Sequence, residues 1–200
     1  MAFGNFQFPQ VLTDLGLTLE QRNFLIGIAP ASLRPEFARQ IDFGASLALS
    51  INTEKARSEF IIAPVLLELK FLSGDRMGLF SGVSLIADPA RGLQGVCDFI
   101  LTRSSQQLVL TAPFLAVVES KNDNVLEGLP QCIAAMYALD LSNQKAGLEP
   151  SPIHGVITTG STWKFLRLER GKVTVEIREY YLDQLEQILG VLVNLVDPSS

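Results

Sequence analysis

The sequence predicts an α/β fold, a mixed central sheet flanked by helices, and three observations lead there. Four short apolar β-like runs, near residues 79–87, 96–101, 114–119 and 153–158, are bounded by Gly, Pro and Ser clusters. An amphipathic helical pattern separates the third run from the fourth, and another helical pattern precedes the first. The resulting order is helix, three strands, helix, strand, with additions at both ends.

Taken in order, residues 1–52 form a helical N-terminal extension. Thr18-Leu-Glu-Gln21 has the form of a capping box and predicts a short helix to about Ile28. A second helix is expected from about Ser32, with Pro35 in its first turn. Thr53 is placed to cap a third, whose apolar positions (Phe60, Ile61, Val65, Leu69, Leu72) cover much of its circumference and predict burial. Pro64 inside it implies a kink or a later true start. The helix between the third and fourth strands is expected near residues 125–141, with Leu129, Cys132, Ile133, Met136 and Tyr137 at helical spacing. Phe165–Leu168, Gly171 and Val173–Ile177 read as a hairpin, and a final amphipathic helix runs from about Leu182 to Val196 before Asp197-Pro198. The whole is expected to be a single domain over 1–200, with a core at 53–168 and a C-terminal strand and helix at 169–200.

Bulk composition narrows the function classes. With 48% apolar and 18% charged residues in 200, the chain is long and apolar enough for a substantial core and is not globally disordered. No apolar run approaches the ~20 residues of a spanning helix, and the start, MAFGNFQFPQ, lacks the basic and apolar regions of a signal peptide. The two cysteines, Cys97 and Cys132, sit in apolar stretches and read as buried thiols, which suits a cytoplasmic location. A lone histidine, His154, excludes a His-rich zinc site. A formal charge of −5 disfavours a strongly basic nucleic-acid binder.

One constellation is suited to chemistry. The run Phe114-Leu-Ala-Val-Val-Glu-Ser-Lys121 is apolar until Glu119 and Lys121, which lie two apart and so share a strand face. Charges at the end of a buried strand require a partner or a metal. Asp98 interrupts the preceding apolar strand and converges on Glu119 if the two strands are neighbours. Two carboxylates at a solvent-reachable strand end suit Mg²⁺, which keeps several of its waters. The other acid-x-Lys pair, Glu68-Leu-Lys70, falls on a helix where residues two apart diverge. A plain ion pair at the sheet end is the alternative account of Glu119 and Lys121.

Asp98 in a GVCDF strand, Glu119-Ser-Lys121 on the next, an acid on the helix before and an amphipathic helix after resemble the PD-(D/E)XK nuclease superfamily over about residues 53–168. The resemblance implies a restriction-endonuclease-like αβββαβ core and metal-dependent hydrolysis of phosphodiester bonds in nucleic acid, DNA foremost. It assigns the metal (Mg²⁺ or Mn²⁺) to Asp98, Glu119 and the Ser120 carbonyl, with Glu59 as the helical carboxylate. Lys121 would activate or orient water, and Gln131 matches the active-site glutamine of several subfamilies. Cys97 stands where proline is common, and position 135 is Ala where some subfamilies carry tyrosine.

Several of these residues keep a second account. Glu59 and Gln131 serve equally as helix surface, and Thr158–Phe165 serves equally as a turn with a core tryptophan. Between Asp98 and Asp140, five acids face two bases, Arg103 and Lys121, so phosphate contacts must come from elsewhere. The most basic stretch, Trp163–Arg178, fits either a backbone-tracking surface or the solvated face of a hairpin. The competing function is a catalytically silent nuclease-fold module that binds a protein or nucleic acid. A homodimer or an accessory protein is a possible partner, and no membrane is expected.

Overall fold

The computed structural model describes residues 2–197. Pro198, at the predicted stop of the last helix, lies outside the described residues. Among the described residues, the chain forms one mixed eight-stranded sheet flanked by five helices, one of them made of two α segments continuous through a π turn. The strands are β1 (Thr18–Gln21), β2 (Gly78–Asp88), β3 (Leu93–Thr102), β4 (Phe114–Ser120), β5 (Ile153–Thr158), β6 (Thr162–Glu169), β7 (Lys172–Val175) and β8 (Tyr180–Tyr181). Their order across the sheet is β1-β7-β6-β5-β4-β3-β2, with β8 pairing β6. The helices are α1 (Gln10–Leu15), α2 (Pro35–Ile51), α3 (Glu54–Arg57) running through a π turn (Ser58–Ile62) into α4 (Ala63–Ser73), α5 (Leu129–Lys145) and α6 (Leu185–Val196).

β2, β3 and β4 form an antiparallel meander, and β5, β6 and β7 form another. The two halves meet where β4 and β5 pair in parallel, which requires a crossover, and α5 supplies it. All seven residues of β4 are buried, because helices cover both faces of the central strands. On one face α5 packs with α1 and the N-terminal Phe3 around Val117, Ile157 and Leu166. On the other face α2, α4 and α6 pack around Val118, Val156 and Phe165.

The predicted helix at Thr18–Ile28 is not formed. Residues 18–21 are instead β1, in parallel register with Lys172–Val175, and Thr174 Oγ1 donates to Glu20 Oε1 at 3.0 Å. The same four residues serve as a capping box or as an edge strand, and the exposed edge of β7 decides for the strand. The remaining elements fall near their expected places. Pro35 opens α2, and Thr53 Oγ1 accepts from the Ala56 amide at 3.2 Å. The expected disturbance at Pro64 takes the form of the π turn, after which Pro64 occupies the first turn of α4. No described helix is long and apolar enough to cross a membrane.

α5 lies so close to β5 that Gly155 has no room for a side chain. A Cβ there would stand 2.7 Å from Cys132 Sγ and 3.3 Å from Leu166 Cβ, and would also collide with the Met136 sulfur. Gly155→Ala should therefore cost about 1–3 kcal/mol, read as a lower denaturation midpoint. An unchanged midpoint would show that α5 shifts freely on the sheet.

Candidate functional site

The site forms where β3 and β4 carry acids beside the N-terminus of α5. Phe99 pairs with Val118, so one further step in the antiparallel register sets Asp98 opposite Glu119. A local irregularity aims Asp98. The β2–β3 ladder pairs Ser81 with Phe99 and Val83 with Cys97, passing over Gly82 and Asp98. At this step alternation breaks in both strands. Phe80 and Val83, and likewise Cys97 and Ile100, face the same core although three residues apart. Gly82 takes the left-handed φ of 63° that this crimp needs. The Asp98 side chain is held by Ser120, whose amide and hydroxyl donate to Asp98 Oδ2 at 2.7 and 2.6 Å.

Glu119 is fully buried. Burial, and next the Asp98 charge, push its carboxyl up to about 8, with Lys121 opposing and Glu54 adding to the rise. Gln131, on the first turn of α5, links the two charged groups of β4's end. Its Nε2 donates to Glu119 Oε2 at 2.5 Å, and its Oε1 accepts from Lys121 Nζ at 3.2 Å. Lys121 Nζ also donates to the Ser120 carbonyl at 2.8 Å. The lysine stem crosses Gly128, where a Cβ would sit 3.3 Å from Lys121 Cε and 2.6 Å from Ile157 Cγ2. Glycine at the entry to α5 thus gives the lysine its path.

Asp98, Glu119, Ser120, Lys121 and Gln131 are therefore brought together. Glu59 is not. It lies on the π turn, its side chain is half exposed, and it pairs with Lys55 Nζ at 2.8 Å. The helical acid whose charge reaches Glu119 is Glu54, in the first turn of α3 behind the Thr53 cap. The substitutions Glu54→Gln and Glu59→Gln separate the two: only the first should lower the Glu119 pKa in the metal-free protein, by tenths of a unit to about one. A carboxyl-resonance titration that moved equally in both variants would exclude Glu54.

The donor set fits a hard divalent cation. Buried Glu119 Oε1 has no hydrogen-bond partner, and both hydrogen bonds to Asp98 fall on Oδ2. Among the described residues no three His, Cys, Asp or Glu side chains cluster as a metal cage. The fit is thus two carboxylates and a main-chain carbonyl, the sparse oxygen set of an ion that keeps its waters. Cys97 and Cys132 are buried free thiols. Burial, and next the Glu119 charge, push both upward, so they remain protonated.

The basic stretch resolves into core and surface. Trp163 and Phe165 are buried, and Lys164 is buried too, with Nζ donating to the Ile177 carbonyl at 2.9 Å. Arg167 pairs with Glu169 at 2.8 Å, while Arg170, Lys172 and Arg178 are exposed. The aromatics therefore offer no stacking platform, and the Gly160 turn is a structural one whose carbonyl accepts from Trp163 Nε1 at 2.9 Å. Glu68 and Lys70 diverge as expected: Glu68 binds Arg34 in a bidentate pair, and Lys70 binds the Gly74 carbonyl. One buried cation had no distinct signal in the sequence. Arg57 ties α3 to the turn after β5, donating to the Thr159 carbonyl at 3.1 Å and Asn52 Oδ1 at 2.9 Å.

No protein-family model matches the chain, and no curated protein matches it.

Proposed function

We propose that the chain is a metal-dependent phosphodiesterase acting on nucleic acid, DNA foremost, built on a restriction-endonuclease-like αβββαβ core. The observation that carries this reading is the convergence of Asp98, Glu119 and Lys121 at one strand end, with a buried carboxylate oxygen of Glu119 left unpartnered. The element order of helix, antiparallel three-strand meander, crossover helix and parallel fourth strand supports it as well.

Asp98, Glu119 and the Ser120 carbonyl would hold Mg²⁺ or Mn²⁺. Such an ion supplies an activated water and neutralises charge on phosphate oxygens. Ser120 fixes the Asp98 carboxylate through two hydrogen bonds, leaving Oδ1 for the ion. Lys121, held by Gln131 and the Ser120 carbonyl, places a positive charge where a phosphoryl group gains negative charge, and its position costs no reorganisation during reaction. Gln131 holds the Glu119 carboxylate and the Lys121 ammonium in one frame. Acids are interleaved with the exposed cations of this stretch, Lys172 pairing with Glu20 and Arg167 with Glu169, so grip on DNA is expected to be weak and salt-sensitive.

The experiment is incubation of the purified chain with plasmid and single-stranded DNA in Mg²⁺, Mn²⁺ or chelator, beside Asp98→Ala. Metal-dependent cleavage that falls about 10²–10³-fold in the variant is expected. Cleavage that survives both chelation and Asp98→Ala would reject the site. Lack of cleavage together with lack of Mn²⁺ binding would leave a silent nuclease-fold module.

A further inference from the structure

On the face of the sheet covered by α2, α4 and α6, the helices leave an apolar outer surface of their own. α2 packs on α4 and the π turn. A Cβ at Gly44 would collide with the Phe60 carbonyl, and Arg34, just before α2, stacks on the Phe71 ring at 4.3 Å. The start of α2 thus lies by the end of α4, and its middle by the π turn before α4, so the two helices run antiparallel side by side.

Each helix turns one apolar set inward: Phe37, Ile41 and Ala48 of α2, and Val65, Leu66 and Leu69 of α4, are buried. A second apolar set lies outside. Around α2, Gly44 faces α4, and Ala48 and Ile41 lie to one side of it, in the core. Leu47 and Phe43 lie to the other side of Gly44, one turn apart, and so face out along the outer surface of α4. Phe43 is 76% exposed. On α4, Leu67 and Phe71 are also one turn apart, opposite the buried set, and are 60% and 64% exposed. Half-buried Phe60 and Pro64 continue that line towards Phe43.

Phe43, Leu47, Leu67 and Phe71 together present on the order of 400 Å² of apolar surface, the scale of the largest patch on a typical monomer. With its rim, such a face approaches the ~800 Å² that each partner contributes to a standard interface. The charges beside it are already paired within the chain: Arg34 with Glu68, Arg39 with Glu36 at 3.7 Å, and Lys55 with Glu59 at 2.8 Å. The face therefore offers no excess charge to attract DNA, a charged peptide or an anionic lipid surface. A copy of the same face brings apolar side chains and an equally balanced rim.

We propose that the α2–α4 face binds a second copy of the chain, in a two-fold homodimer that buries Phe43, Leu47, Leu67 and Phe71 of both. An isologous contact of this kind closes on itself, which keeps the patch from driving open-ended association. Each copy carries a formal charge of −5, so their approach is resisted at low salt and eased by screening.

The test is sedimentation equilibrium of the full chain at micromolar concentrations over a range of sodium chloride. A monomer–dimer equilibrium that tightens with salt is expected, and Phe43→Glu and Leu67→Glu should each weaken it about 30-fold or more. Both side chains are exposed in the single chain, and far-UV circular dichroism verifies that the variants are folded. Ile86→Glu, at an exposed apolar position on the edge strand β2, should leave the equilibrium unchanged. Three outcomes would overturn the proposal: a wild-type chain that stays monomeric, a dimer that persists in both folded face variants, or one that Ile86→Glu weakens as much. Binding to vesicles containing phosphatidylserine, lost in the face variants, would assign the face to a lipid surface and overturn it as well. None of these outcomes depends on the nuclease reading.

Discussion

Metal-free protein carrying Glu119→Gln is expected to unfold at the same temperature as the wild type near pH 4, and at a clearly higher one at pH 8. The folded-state pKa of Glu119 is raised from 4.5 to about 8. Below pH 4.5 the group is protonated whether the chain is folded or unfolded, and its contribution to stability is fully present. Between 4.5 and 8 the unfolded chain releases the proton while the folded chain keeps it, so stability is lost as pH rises through that window. The full span corresponds to up to about 5 kcal/mol. The amide that replaces the carboxyl has no such ionisation, and it still accepts from Gln131 Nε2. Thermal unfolding in chelator from pH 4 to 8.5 measures the effect, and parallel curves for the two proteins would show that Glu119 is not held protonated. Added Mg²⁺ should raise the midpoint of the wild type at pH 8 and leave Glu119→Gln unmoved, because a ligand that binds only the folded state stabilises it by mass action.

Lys121→Met should lower DNA cleavage by about 10²–10⁴-fold while leaving Mn²⁺ binding and thermal stability close to wild type. The side chain is partly exposed, so its replacement opens no large buried cavity. Its ammonium contributes charge rather than a metal-binding oxygen. Since Lys121 opposes the upward displacement of Glu119, its loss should also move the rising limb of the pH–rate profile to higher pH. A pure loss of stability would not produce that displacement. Cleavage at the wild-type rate with an unmoved profile would remove Lys121 from the mechanism and leave it as a structural donor to Gln131 and the Ser120 carbonyl.

The sheet and its crossover were legible because they follow from local patterning. The run Phe114–Val118 is too apolar and too short for anything but a buried strand, and the spacing of α5 carries its own helical period. Period-2 geometry likewise placed Glu119 and Lys121 on one face. β1 was not legible, since its partner Lys172–Val175 lies some 150 residues away and nothing local chooses between a capping box and an edge strand. Which helical acid acts on Glu119 was not legible for a related reason. Glu54 and Glu59 are both plausible by spacing, and the choice depends on the π turn, whose Phe60 carbonyl presses on Gly44 of α2.

The buried cations show the same limit. Lys164 and Arg57 read as surface charges in a sequence, yet each is buried and donates to a carbonyl on a turn elsewhere in the chain. His154 and Arg167 are thirteen residues apart, and only the β5–β6 register makes them neighbours around a cavity.

What the sequence determined by itself was the class of fold, the order of its central elements and the presence of two carboxylates and a lysine at a strand end. These rest on repeat periods of 2 and 3.6 residues, which are properties of the local backbone. Tertiary structure alone decided which helical acid reaches Glu119, that the β3–β4 register sets Asp98 opposite it, and that Gln131 joins Glu119 to Lys121. Those choices depend on register, close approach and burial, and each is set by residues far apart in the chain.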